Sequence, residues 1–285
     1  MKAAAFSYVR PDSLEQALEA LAQYGPDARI LAGGQSLMPM MALRVAQPVV
    51  LVDIGRIESL RGISESNGSI RVGALTRHVD LLSSPLIASR VPLLPRALAH
   101  VAHAAIRNRG TLGGSLALAD PAAELPACAL ALDAEMVLAG ASGERVVAAQ
   151  DFFHGLYTTA IGDGEILVEI RFPEADSRER VFFDEVSRRR GDYAIAGLAA
   201  TALPGARVRF AYLGCGDRPL RAPHAEQLAM TALFSGRTSD RSAWRDALHQ
   251  DLDPPSDLQA DADTREHLAS VLAERACVAL RSAFA

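Results

Sequence analysis

Among 285 residues the sequence holds a single lysine, Lys2. A phosphate-binding P-loop lysine and an internal Schiff-base lysine are therefore excluded, since each needs an ε-amine inside its own motif. Cysteine is nearly as scarce. Cys128, Cys215 and Cys277 stand far apart with no C-x-x-C pair. That leaves no ligand set for a zinc ribbon or a chain-borne iron–sulfur cluster, and no disulfide framework. Reduced thiols lead us to expect a cytoplasmic protein. Positive charge is in deficit, 29 Lys and Arg against 34 Asp and Glu for a formal net charge of −5, which argues against binding nucleic acid by broad phosphate neutralisation. A long apolar run is also missing. The stretch from Leu112 to Leu138 is broken by Asp120, Pro121, Glu124, Pro126, Asp133 and Glu135 and cannot cross a bilayer. Met1–Ala5 leads quickly into Tyr8, Arg10 and Asp12, unlike a secretory signal.

What is present suits a folded enzyme-like unit. Apolar residues make up 49% and charged residues 22%, enough for a sizeable core, and the length suggests two lobes or one large unit. Ser13 with Gln16 reads as a capping box, followed by Leu14, Ala17, Leu18 and Leu21 on one helical face and stopped by Gly25-Pro26. Short strands are expected at Arg29–Leu31 and Pro48–Ile54, with a short helix over Leu37–Leu43 between them. Asn67-Gly68 predicts a hairpin. Helices are expected at Val79–Ser83, Leu93–Ala105 and from Asp120-Pro121 to about Leu132, and strands at Glu135–Leu138, Arg145–Ala148 and Glu165–Phe172. Beyond a polar boundary at Pro173–Arg180, strands at Val181–Val186, Ala194–Ala202 and Ala206–Leu213 follow, the last two joined at Pro204-Gly205. Helices near Pro223–Leu233, Arg241–His249 and Ala262–Leu280 end the chain. The pattern is α+β, with an antiparallel sheet backed by helices in the last third.

Two glycine pairs, Gly33-Gly34 and Gly113-Gly114, each appear to follow an extended run and lead through a serine, Ser36 or Ser115, into a helix. With no Cβ in the way, the backbone of such a turn approaches a ligand closely, successive N–H groups can point at one anion, and the serine adds a donor. Two such loops can grip the diphosphate of a dinucleotide from opposite sides; the plain alternative is a pair of ordinary strand-to-helix turns. Gly162-Asp163-Gly164 and Gly214-Cys215-Gly216 both lack the third glycine of a Rossmann fingerprint. Gly113-Gly114-Ser115-Leu116-Ala117 narrowly misses a nucleophile elbow, which keeps a serine hydrolase using Ser115 in play. Asp120-Pro121 reads first as an N-cap followed by a first helical proline. Glu124, one turn on, can accept from ribose hydroxyls or be solvated. His100 and His103 are spaced i, i+3 without a third ligand and read as helix surface. Arg107, Asn108 and Arg109 can offset phosphate charge or pair with surface acids. Arg188-Arg189-Arg190-Gly191-Asp192-Tyr193 is either a solvated loop or a means of laying an aromatic ring against a flat cofactor.

Three segments carry a specific resemblance: Ala32–Pro39 (AGGQSLMP), Ile106–Ala117 (IRNRGTLGGSLA) and Ala119–Pro126 (ADPAAELP). They resemble the FAD-binding medium subunit of molybdenum hydroxylases, the group of carbon monoxide dehydrogenase, quinoline oxidoreductase and xanthine dehydrogenase. Gly164–Ile170 and Arg188–Ala194 fit as well, so the similarity runs from about Phe6 to at least Leu213. The resemblance implies a PCMH-type FAD-binding fold with two N-terminal subdomains, residues 1–55 and 56–175, and a C-terminal α+β domain, 176–285. It implies FAD as cofactor, with Ala32, Gly33, Gly34, Gln35 and Ser36, and Thr111, Leu112, Gly113, Gly114 and Ser115, holding its pyrophosphate. Asp120 and Glu124 fall in the third segment, Glu124 at an acidic adenosine contact. Leu167 stands at an apolar cofactor contact and Tyr193 where an aromatic ring packs on the isoalloxazine. Asp184 stands where some relatives carry a lysine, so that contact is not carried over.

The implied partners are a large molybdopterin subunit, where substrate is oxidised, and a small subunit with two [2Fe–2S] clusters, from which this chain's FAD passes electrons to an external acceptor. The scattered cysteines agree that the clusters lie elsewhere. The alternative within the same fold is a stand-alone flavin oxidase. All flavin readings require the two glycine bends to converge in space.

Overall fold

The computed structural model describes residues 2–203, 205–235 and 240–281. Its N-terminal part is a small parallel sheet of β1 (Ser7–Val9), β2 (Ala28–Leu31) and β3 (Val50–Asp53), in the order β1-β3-β2. Parallel strands need a crossover, and α1 (Leu14–Tyr24) and α2 (Leu37–Ala42) supply the connecting segments. The capping residues of α1 act as expected. Ser13 Oγ accepts from the Gln16 N–H at 3.3 Å, and Gln16 Oε1 accepts from the Asp12 N–H at 2.9 Å. Ala17, Ala20 and Leu21 then bury one face of α1 against Val50, Val52 and Ile54.

A second sheet is antiparallel, in the order β4-β5-β10-β6-β7. Its strands are β4 (Ile63–Ser66), β5 (Ser69–Gly73), β6 (Glu135–Gly140), β7 (Gly143–Ala148) and, after the small hairpin β8 (Phe153–Gly155) and β9 (Thr158–Thr159), β10 (Ile166–Pro173). The Asn67-Gly68 turn joins β4 to β5 with positive φ at both residues, as a type I′ hairpin requires. Alternation sorts the sheet's two faces. Val137, Ala139, Ile166 and Val168 face the N-terminal core, while Met136, Leu138, Leu167 and Ile170 face the main core. Covering that second face are α3 (His78–Ser83), α4 (Pro85–Arg90), α5 (Leu93–Leu98), α6 (Ala104–Arg107), α7 (Leu112–Leu118) and α8 (Glu124–Ala131).

The last part is an antiparallel sheet of β11 (Arg180–Ser187), β12 (Ala194–Leu203), β13 (Arg207–Leu213) and β14 (Leu220–Arg221) in sequential order, with α9 (Pro223–Ser235), α10 (Arg241–Asp251) and α11 (Ala262–Leu280). Alanine dominates β12, which is buried along nearly its whole length, because helices press on both faces. Ala196, Leu198, Ala200 and Ala202 face α9–α11, while Ala194 and Ala199 join the main core beside α8. Arg265 of α11 is buried and donates to the carbonyls of Ile195 and Gly214 and to Asp257. Arg265→Leu leaves two buried carbonyls without their donor and is expected to cost about 3 kcal/mol. Urea unfolding measures it, and a loss below about 1 kcal/mol would deny the arginine this role.

The elements differ from expectation in a few places. The Leu93–Ala105 helix is two pieces, α5 and α6, because Ala102 sits at φ 41° between them. His100 and His103 therefore share no helix face, and His103 precedes α6 as its cap residue. Asp120 and Pro121 do not open a helix; α8 starts at Glu124 behind Ala123. Strands β1, β8, β9 and β14 were not expected: each spans two or three residues, too few to show alternation. Of the expected Pro204-Gly205 turn, Pro204 lies outside the described residues.

Candidate cofactor cleft

The two glycine segments meet. A Cβ on Gly33 would overlap the Arg109 carbonyl oxygen and lie 3.0 Å from Gly110 Cα, and one on Gly114 would lie 3.8 Å from Ala32 Cβ. The 32–36 turn thus rests directly on the chain leading into α7. Both segments border one cleft of about 1340 Å³, larger than the roughly 300–1,000 Å³ usual for small-molecule sites and long enough in its lining to suit an extended dinucleotide.

The two segments are not equivalent. Gly33-Gly34-Gln35-Ser36 is an open turn between β2 and α2, with Gly34 at φ 73°. Among the described residues the main-chain N–H groups of Gly34, Gln35 and Ser36 donate to nothing, and Ser36 makes no side-chain cap bond to α2. This is a cradle of donors without an acceptor. The Gln35 amide turns back onto the Gly33 carbonyl at 3.1 Å, bracing the turn. Gly113, Gly114 and Ser115 lie inside the first turn of α7 instead of in a loop. The N–H groups there are occupied: Leu112 donates to Thr76, Gly113 to Ala74, Gly114 to the Thr111 hydroxyl and Ser115 to the Thr111 carbonyl. The second pair therefore allows close approach without the N–H donors expected of it. Gly113 is required by packing, since a Cβ there would fall 2.5 Å from Ala74 Cβ and 2.8 Å from the Ala74 carbonyl oxygen.

Thr111, Asp120, Glu124, Leu167 and Tyr193 border the same cleft, as do the residues of the first segment, Gly113, Gly114 and Ser115. Leu112 does not; it points into the main core and is fully buried. Tyr193 is 62% exposed, a ring presented to the cleft with little packing of its own. Leu167 is buried in β10. Asp120 binds the Ala122 N–H at 2.9 Å and lies 3.5 Å from the Tyr157 hydroxyl. Burial raises its carboxyl above the usual range. Glu124 keeps some surface towards the cleft, but protein crowds its carboxyl, and burial with the charge of Glu185 pushes it up to about 8. The expected solvated or ribose-accepting carboxylate is therefore largely a neutral acid near pH 7, a donor as well as an acceptor.

Arg107, Asn108 and Arg109 do not border the cleft. Arg107 donates to the carbonyls of Val101 and Ala102 instead. Arg29 is the only arginine or lysine among the described lining residues, so an anion here is met mainly by backbone dipoles and hydroxyls. Sequence reasoning missed Tyr157, which hangs from the β8–β9 turn at φ 52°, and His78. His78 is buried behind the glycine segments, with no partner on either ring nitrogen and burial pushing its pKa down to about 4. Neither carried a motif that marks it. Ser115 lies within α7 and no histidine or carboxylate hydrogen-bonds its hydroxyl among the described residues, so the nucleophile–base pair of a hydrolase is not built. All three cysteines are buried free thiols. Among the described residues no cluster of three or more metal-ligating side chains exists, and no helix is long and apolar enough to cross a membrane.

Comparison with known proteins gives the same picture over the full length. Residues 4–175 match the model of the FAD binding domain in molybdopterin dehydrogenase, and residues 181–280 that of the CO dehydrogenase flavoprotein C-terminal domain. The chain is 41% identical to the 6-hydroxypseudooxynicotine dehydrogenase complex subunit alpha of Paenarthrobacter nicotinovorans, covering 96% of this chain and 94% of that one. Carbon monoxide dehydrogenase from Hydrogenophaga pseudoflava superposes with a TM-score of 0.91 at 38% identity, over 99% of each chain. Quinoline 2-oxidoreductase from Pseudomonas putida 86 superposes at 0.88 with 40% identity, over 100% of both. The cleft, its glycine cradle and these full-length matches identify the chain as a member of the FAD-binding flavoprotein family of the molybdenum hydroxylases, an oxidoreductase subunit of the medium-chain type.

Proposed function

We propose that this chain is the electron-transfer subunit of a heteromeric molybdenum hydroxylase and holds FAD in the cleft between the 32–36 turn and α7. The observation that carries the reading is the convergence of the two glycine segments around unclaimed N–H donors at Gly34, Gln35 and Ser36. The chemistry supplied by FAD when bound is electron transfer from [2Fe–2S] clusters of a small partner subunit to an external acceptor, substrate oxidation belonging to a large molybdopterin subunit.

The chain's own residues bind and orient. The 32–36 turn donates its N–H groups and the Ser36 hydroxyl to the diphosphate, with Ser115 adding a hydroxyl from the α7 side and Thr111 capping that helix. Gly33, Gly113 and Gly114 keep the two walls close. Glu124 and Asp120 offer polar contacts, Leu167 an apolar one, and Tyr193 a ring face for the flavin. In this reading residues 1–55 and 56–175 are the two halves around the cofactor and 176–285 carries Tyr193 to it. The assembled enzyme works in the cytoplasm.

The test is reconstitution. Folded chain mixed with FAD and desalted is expected to keep flavin absorbance at about one flavin per chain; a folded preparation that stays colourless overturns the proposal. Substrate oxidation by the isolated, flavin-loaded chain would replace the subunit reading with a stand-alone oxidase.

A further inference from the structure

The wall of the cleft contains a second acid that the cofactor reading does not use. Glu185, on β11, has a side chain only 2% exposed. One of its oxygens lies 3.5 Å from His100 Nδ1, and the other is buried with no hydrogen-bond partner. Glu124, at the start of α8 and bordering the cleft, feels its charge. Resting on the FAD reading above, we propose that Glu124 and Glu185 form one proton-holding pair in the wall of the cleft, and that a diphosphate dinucleotide entering the cleft draws a proton onto it.

Two carboxyls in dry surroundings that sense each other do not both ionise near neutrality. Burial together with the facing charge holds Glu124 at about 8, and burial with neighbouring Asp184 holds Glu185 at about 7. Other groups facing the pair reinforce this more than they relieve it. Asp120 adds negative charge beside Glu124. The buried Cys128 thiol, one turn along α8, is itself driven well up by burial and by both acids. Tyr193 is held above its usual value and stays neutral. Asp184 is tied at 2.8 Å to Arg275. His100, packed edge-on against Phe183 at 5.2 Å, is lowered by burial and by Arg190, and Asp184 opposes that. It is therefore mostly neutral and does not cancel the Glu185 charge.

A diphosphate dianion entering the cleft excludes water from Glu124 and adds further negative charge, and both effects favour the protonated acid. Proton uptake linked to binding makes affinity fall as pH rises above the free pair's titration range, by up to about tenfold per pH unit.

The experiment is calorimetric titration of FAD into the apo chain from pH 6.5 to 9, repeated at pH 8 in two buffers of different ionisation enthalpy. The native chain is expected to take up a substantial fraction of one proton at pH 8 and to lose affinity steadily above it. Glu124→Gln should remove both effects. Glu185→Gln should shift the loss of affinity to lower pH, because it removes the repulsion and keeps the shape. Heat independent of buffer and a flat affinity from pH 7 to 9 in the native chain overturn the proposal without any variant, and leave the FAD reading standing. Absence of FAD binding at every pH would instead remove the FAD reading on which it rests.

Discussion

Gly33→Ala is expected to abolish retention of FAD while leaving a folded protein. The added Cβ meets the Arg109 carbonyl oxygen and the Gly110 Cα, which are backbone atoms and cannot rotate away as a side chain would. The 32–36 turn must lift from the segment entering α7. Overpacking of this kind costs about 1–3 kcal/mol, and here the strain falls on the spacing of the cleft's two walls. About 3 kcal/mol lost from binding corresponds to roughly a hundredfold weaker affinity. Gly34→Ala provides the contrast. Its Cβ would meet only the Met38 and Leu31 side chains, at 3.2 and 3.3 Å, and its main cost is a positive φ of 73°, about 1 kcal/mol. Fluorescence titration of FAD ranks the two, with circular dichroism and thermal melting as the fold control. Gly33→Ala binding as tightly as the native chain would remove the convergence argument.

The second large effect is acid sensitivity arising at His78. Folded, the buried ring titrates at about 4 against 6.5 for the unperturbed group. Between those values the unfolded chain binds a proton that the folded chain excludes, so this contribution to stability is complete above pH 6.5 and lost as pH falls towards 4. At pH 5 the loss is on the order of 2 kcal/mol. Glu124 acts in the opposite sense. Its folded value, raised from 4.5 to about 8, lets the folded chain hold the extra proton, so its contribution is complete below 4.5 and is lost as pH rises towards 8. The two partly offset each other from 4.5 to 6.5, and above that Glu124 acts without His78. Neither ring nitrogen of His78 has a partner, so His78→Phe forfeits no hydrogen bond. Urea unfolding from pH 4.5 to 7.5 should show the variant near native stability at pH 7 and about 2 kcal/mol ahead of it at pH 5. Parallel curves for the two proteins would contradict the assignment.

Much of this molecule was legible in the sequence because local signals and tertiary demands agree. The Ser13–Gln16 cap, the Asn67-Gly68 turn and the three long strands after residue 180 all appear where expected. The resemblance to the FAD-binding medium subunits was carried by contiguous motifs, and the full-length matches bear it out. What stayed hidden depends on contacts distant in sequence. The two Gly-Gly-x-Ser-like segments look alike on paper, yet one is an open turn and the other is wound into α7, because Thr111 caps that helix and Ala74 takes the Gly113 N–H. Asp120-Pro121 has the composition of a helix start, but the chain turns once more before α8 begins. Leu112 sits among cleft residues in sequence and points into the core, as helical periodicity dictates once α7 is known. Tyr157, His78 and the Glu124–Glu185 relation carry no motif, since they arise only when β11 and the β8–β9 hairpin are laid beside α8.

The most direct test of the central claim is a crystal structure of the chain reconstituted with FAD. The account predicts the diphosphate between the two glycine segments, within hydrogen-bond distance of the Gly34, Gln35 and Ser36 N–H groups and the Ser115 hydroxyl, with the flavin ring towards Tyr193. A diphosphate bound elsewhere, leaving those three N–H groups without an acceptor, would contradict it.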